Sequence, residues 1–274
     1  MFKPVSIAVA ALFALATPTF ALARADPAPA AAKSYAEADA REAAAQATLS
    51  KAMEDFQRGR YAALRPHLPA LEALLDDAPA SYPVIEDRGE ITIVRSRESA
   101  VSLLALLGAA KDKRSTRVEI RENTYPMIAL ILASNANESR QSQKAVAYLD
   151  RGLAIQPGNS WLLSEKGAAL NAMRKPAEAL AAYDAGLAGD LPIAKTDRAL
   201  LLRGRGYALI ELGRLDEAEA AYRESLTLEP DHGGALHELK YIADLKKGRT
   251  PPQGSTGLIS SDEAKDYGKE PKPK

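Results

Sequence analysis

Residues 214–230 read RLDEAEAAYRESLTLEP. Apolar residues at Leu215, Ala218, Tyr222 and Leu226 recur at spacings of three and four, which predicts one face of an α-helix. That rhythm does not explain why the positions at Ala218 and Ser225 are small, why a tyrosine stands between them, or why Pro230 follows.

The arrangement recurs. KAVAYLDRGLAIQP (144–157) and EALAAYDAGLAGDL (178–191) align with EAEAAYRESLTLEP (217–230). Ala145, Ala179 and Ala218 share one column, followed by Leu149, Tyr183 and Tyr222, then by Gly152, Gly186 and Ser225. Pro157 and Pro230 share a column, with Leu191 in the middle copy and Pro192 one place late. Upstream, GAALNAMRKPAEA (167–179) matches GYALIELGRLDEA (206–218), pairing Gly167 with Gly206. Ala145 and Ala179 are 34 residues apart; Ala179 and Ala218 are 39 apart, with an insertion near GDLPIAKTD.

A helix–turn–helix unit of about 34 residues, with small, aromatic and proline positions in this order, resembles the tetratricopeptide repeat. Three copies are read at 126–159, 160–198 and 199–232, with 233–248 as a capping helix. The first copy is degenerate, with Ala133 at the usual glycine position. The resemblance implies an all-α, right-handed superhelix of antiparallel helix pairs. Gly206 against Ala218 would let the two helices approach, with Tyr222 filling the space around the contact. One copy cannot bury its apolar faces alone, so neighbours share a core. In the cap, apolar residues at Leu236, Leu239, Ile242 and Leu245 are read as the packed stripe.

The rest of the chain is organised around this block. Lys3, a nearly continuous apolar run from Val5 to Ala16 and the small triplet Ala21-Leu22-Ala23 read as a cleavable signal peptide over 1–23, cut near Ala23 or Ala25. An exported, periplasmic or secreted protein is therefore expected. An apolar run of about 12 residues falls short of the ~20 that a spanning helix needs. A Pro/Ala linker is read at 24–34 and a disordered, Pro/Gly/Ser-rich tail at 249–274. Between them, 35–125 reads as a long helix from Ser34, a leucine-striped helix over Tyr61–Asp77 and a small strand–helix–strand element near 84–121 turning at Asp87-Arg88-Gly89. Arg58-Gly59-Arg60-Tyr61 echoes Leu212-Gly213-Arg214-Leu215, so a divergent repeat and a separate small domain both remain open for this region.

The 36 basic and 36 acidic residues balance, and nothing points to a nucleic-acid partner. The absence of cysteine removes disulfides, thiolate metal sites and cysteine nucleophiles. The sequence holds no P-loop, dinucleotide fingerprint, HExxH or GxSxG motif, so no catalytic, cofactor or metal residues are assigned and no enzyme is expected. His232 and His237 are five apart, which does not place both on one helix face.

What remains is protein binding. The resemblance implies a concave groove lined by the first helix of each repeat, where a partner segment would lie. Its groove-facing positions fall on Met127, Leu130, Ser134, Asn137 and Glu138 in the first copy, on Trp161, Ser164, Ala168, Asn171 and Ala172 in the second, and on Leu200, Arg203, Tyr207, Ile210 and Glu211 in the third. Trp161, Ser164, Asn171, Arg203, Tyr207 and Glu211 are the candidate partner-binding residues. Trp161 reads either as an aromatic anchor or as ordinary packing between repeats. Arg203 and Tyr207 lie one turn apart and read either as a grip for a carboxylate or backbone carbonyl or as residues of a solvated face. Family members that clamp a C-terminal carboxylate use lysine and asparagine at the fifth and ninth positions; here Leu130/Ser134, Ser164/Ala168 and Arg203/Tyr207 stand there, so that mode is not expected. The leading expectation is an exported, bacterial interaction scaffold for envelope assembly or secretion, its partner unidentified. Two alternatives are repeats that position an enzymatic or ligand-binding 35–125 region, and self-association into a structural homo-oligomer.

Overall fold

The computed structural model describes residues 6–7, 29–111 and 117–248. The expected cleavage site, most of the signal segment and the expected disordered tail lie outside them. The chain forms two compact bodies: an N-terminal body (Met1–Asn135 with Ala154–Pro157) and a repeat body (Ala136–Leu153 with Gly158–Lys274).

In the N-terminal body, α1 runs over Pro29–Gln57. It begins inside the stretch read as linker, because the alanines after Pro29 are strong helix formers and proline is tolerated in a first turn. The expected single helix over 61–77 is instead two, α2 (Tyr61–Leu64) and α3 (Leu68–Asp76). The break falls at Pro66, whose ring and missing N–H oppose a continuous helix. Leu64, Leu71 and Leu75 are buried, as are Ala45, Leu49 and Ala52 of α1.

The strand–helix–strand element is present. β2 (Ile85–Asp87) and β3 (Ile91–Val94) are antiparallel, with Ile85 opposite Val94. Their turn is closed by Arg88 N–H donating to the Ile91 carbonyl at 2.9 Å and by Gly89 N–H donating to Asp87 Oδ1 at 2.8 Å. Gly89 has φ +86°, a conformation glycine adopts without steric cost. α4 (Ser99–Lys111) then crosses to β4 (Arg117–Ile120), which pairs parallel to β3. A two-residue strand, β1 (Ser6–Ile7), pairs antiparallel with β4 and completes the order β1-β4-β3-β2. Val101 and Ala105 of α4 pack with Val94 and Val118 of the sheet.

A set of ion pairs joins α1 to this sheet. Asp39 accepts from Arg88 at 2.8 Å and Arg121 at 2.6 Å. Glu42 accepts from Arg95 at 3.1 Å and from the Tyr82 hydroxyl at 2.9 Å, while Glu86 takes Arg95 at 2.7 Å and Arg88 at 2.6 Å. The Arg95 guanidinium also lies 4.0 Å from the Tyr82 ring centroid. Burial alone would raise the Asp39 and Glu86 carboxyls, but hydrogen bonds and charge from the arginines outweigh it and hold both below the usual range.

After β4 the described chain is helical: α5 (Thr124–Glu138), α6 (Ser142–Ile155), α7 (Ser160–Ala172), α8 (Pro176–Leu187), α9 (Lys195–Glu211), α10 (Leu215–Leu228) and α11 (Gly233–Lys246). α5 and α6 are each divided between the two bodies. Asn159 caps α7 by accepting the Leu162 N–H, and Pro176 sits in the first turn of α8. The expected pairing of helices is observed, α7 with α8 and α9 with α10, and α8 packs on α9. Ala179, Ala208, Leu209, Ala218, Tyr183, Tyr222 and Ile242 form one shared core.

The role expected for the small positions needs one correction. A Cβ on Gly206 would stand 2.6 Å from Cε2 of Tyr222, and one on Gly167 2.5 Å from Cζ of Tyr183. Each glycine therefore receives the tyrosine ring of its partner helix directly, rather than only easing backbone approach. Tyr183 also lies against Gly204 of the next repeat, so one ring joins α7, α8 and α9. Gly186 receives the Leu201 side chain, and Ser225 in the same column is fully buried. The stripe expected on α11 is also shifted: Leu236 is half exposed, whereas Ala235, Glu238 and Ile242 are buried.

Candidate partner-binding face

The first helices of the second and third repeats, α7 and α9, lie against each other and carry the predicted groove positions. Trp161, in the first turn of α7, is 48% exposed and also bridges to the next repeat. Its indole Nε1–H donates to Asp197 Oδ2 at the start of α9. That bond fixes the ring's edge and leaves apolar surface open. Leu200, the matching position one repeat later, is 46% exposed. Scattered exposed leucines need no explanation; here a tryptophan and a leucine stand exposed at the same position of adjacent repeats.

Other predicted residues are placed differently. Ser164 and Ile210 are buried, and Ile210 belongs to the core. Asn171 is half-buried and donates through Nδ2 to the Tyr183 hydroxyl at 3.4 Å, with its Oδ1 buried and unbonded. Ala168 is half-buried and Ala172 exposed. Arg203 is not available to clamp a carboxylate from outside, since its guanidinium pairs with Glu229 at the end of α10. Tyr207 is half-buried and Glu211, one turn on, is exposed. In the first copy, Met127, Leu130 and Ser134 are half-buried residues of the N-terminal body; Asn137 is half-buried with Oδ1 unbonded, and Glu138 is exposed.

Two residues that sequence reasoning left out belong to this face. Tyr241 of α11 follows Tyr207 by 34 residues, the repeat spacing itself, and that offset could have found it. Glu238, one turn before Tyr241, is 7% exposed with Oε2 unbonded, and its carboxyl is pushed up to about 7 by burial. The Tyr207 phenol is raised by burial and then by the negative charges of Glu211 and Glu238. The Tyr222 phenol is raised far more, again by burial first and then by Glu238. No sequence signal marked Glu238, because a glutamate in an amphipathic helix ordinarily faces water.

His232 is the N-cap of α11, accepting the Ala235 N–H on Nδ1, and its imidazole is lowered by burial and then by Arg203. Among the described residues no three or more His, Asp and Glu side chains are grouped to hold a metal ion, and no helix is long and apolar enough to cross a membrane.

The tetratricopeptide repeat family model matches residues 199–232, the bounds read for the third copy from its sequence. No curated protein matches the chain. Among solved structures, PilW, a widely conserved type IV pilus biogenesis factor, is similar with a TM-score of 0.50 and 19% identity, over 75% of this chain and 71% of that one. The first repeat domain of Spaghetti (RPAP3), bound to the HSP90 peptide SRMEEVD, gives 0.40 and 24% over 43% and 93% of the two chains. A thermophilic repeat protein from Thermus thermophilus gives 0.35 and 16% over 73% and 98%. Stacked helix pairs, tyrosines seated on glycines and the match over 199–232 together identify the fold of the repeat body as that of the tetratricopeptide repeat.

Proposed function

We propose that the protein is an exported, non-enzymatic interaction module that holds a segment of a partner protein along the α7–α9 face. The service of envelope assembly or secretion belongs to the same proposal and draws on the signal-like N-terminus of the sequence. The observation that carries the reading is the exposed pair Trp161 and Leu200 at equivalent positions of adjacent repeats. Tryptophan is among the residues most enriched at interface hot spots. Stacked repeats also supply an extended surface without chemistry of its own. Capture of partners from a periplasmic extract tests this. Trp161→Ala and Tyr207→Ala should each lose the captured protein while the circular dichroism of the helices is retained; undiminished capture by both overturns the reading.

A second reading, self-association, draws on α4. Leu103, Leu104 and Leu107 are 42–56% exposed on its outer side. Light scattering over a concentration series separates the two: a mass that stays monomeric rules self-association out.

A further inference from the structure

The α11 end of the candidate face is unusual in one respect. Glu238 is more than nine-tenths buried, its Oε2 has no hydrogen-bond partner, and the carboxylate stands among Tyr207, Tyr222 and Tyr241. Its polar neighbour on the same helix, His237, places Nδ1 3.9 Å from Oε1, beyond hydrogen-bond range. Burying a carboxylate oxygen without a hydrogen-bond partner is costly, and the equivalent place on α9 is held by Gly204. Glu211 adds a second, exposed carboxylate beside Tyr207. Of the nearby cations, Arg203 is already paired with Glu229, and Arg174, just past the end of α7, acts on Tyr207 rather than on Glu238. The site is therefore acidic and lies near three tyrosines, a residue type whose ring face attracts cations.

We infer that this face selects a basic partner segment: an apolar side chain rests on Trp161 and Leu200, and a lysine or arginine reaches the carboxylates of Glu211 and Glu238 between Tyr207 and Tyr241. This rests on the proposed groove reading and gives it a chemistry opposite to capture of an acidic C-terminus. From Trp161 to Tyr207 is one helix over and seven positions on, roughly 10 Å along the axis at 1.5 Å per residue. With the neighbouring helix axis about 8–10 Å away the diagonal is about 14 Å, which an extended segment covers with about four residues, so apolar anchor and cation should be about four apart.

The chain has one tryptophan, so its fluorescence reports the apolar end of the site directly. The test titrates the full-length protein with three synthetic peptides that share one leucine–alanine frame and differ only in carrying lysine, glutamine or glutamate four residues from the leucine. The lysine peptide is expected to shift the emission of Trp161 and to bind about tenfold or more tightly than the glutamate peptide, with the preference shrinking as salt is raised. Glu238→Gln and Glu211→Gln should each remove most of the lysine preference. Equal binding of lysine and glutamate peptides, or a preference unaltered in both variants, overturns the basic-segment inference and leaves groove binding standing. Failure of all three peptides to alter the fluorescence overturns both.

Discussion

Gly204 and Gly206 are two residues apart and serve different tyrosines: the first accepts Tyr183 from the preceding repeat, the second Tyr222 from its own. Gly206→Ala should destabilise the protein by about 1–3 kcal/mol, because an added methyl must displace a ring held in a close-packed core. Urea unfolding measures it; a loss below a few tenths would mean that the ring simply moves. The turn between paired helices offers the reverse case. Gly213 has φ +72°, and Arg140 and Arg174 stand at the equivalent position with φ 58° and 56°. Arg174→Gly should raise stability by roughly 0.5–1 kcal/mol, the relief of a left-handed non-glycine residue less the entropy glycine adds to the unfolded chain. Glu238 makes a prediction about pH. Its folded pKa, about 7, lies above the ordinary 4.5, so its contribution is fully present below pH about 4.5 and is lost as pH rises through 7. Glu238→Gln should therefore gain on the order of 1–2 kcal/mol over wild type at pH 8 and nothing at pH 4.5, the figure allowing for partial screening. Ala218 and Tyr222 were legible because repetition singled them out. Glu238 was not, because burial of a charge leaves no mark on helical periodicity.

At the scale of elements, the N-terminal body depends on charges that come from distant parts of the chain. Asp39 and Glu42 lie on α1, and their arginines are 49 to 82 residues further on. Glu42→Ala would leave Arg95, almost fully buried, without one of its two carboxylates. A cost of about 3 kcal/mol is expected, since removing one partner strands a buried charge. Thermal unfolding followed by circular dichroism checks it, and a wild-type midpoint would contradict the network's role. The hairpin, α4 and the parallel strand could be read from β-branched runs, a Gly turn and a helical run between them. The helix break at Pro66 could also have been read. The ion pairs could not, because no local pattern tells which carboxylate of a long polar helix meets which arginine.

At the scale of the molecule, the two bodies should respond to pH in opposite directions. Asp39 and Glu86 are held below their ordinary values, so their stabilisation is present above pH about 4.5 and fails as acid protonates them. Glu238 fails toward alkaline pH. Hydrogen exchange resolved along the chain should show α1 and the sheet losing protection below pH 4, and α10–α11 losing it above pH 7; a parallel loss in both bodies at both extremes would contradict this. The repeat architecture was the most legible property, because the 34-residue offset fixes helix pairs, turn and core together. Groove membership was less so: the same offset placed Trp161 and Leu200 at the surface, but Ser164 and Ile210 turned inward and Arg203 is spent on Glu229. The claim that the α7–α9 face holds a partner is tested most directly by photo-crosslinking in the living cell. A benzophenone amino acid at position 200 or 211 should trap a partner protein, while one at position 223, on the exposed side of α10, should trap none. Crosslinks from 223 with none from 200 or 211 would place the partner elsewhere and contradict the account.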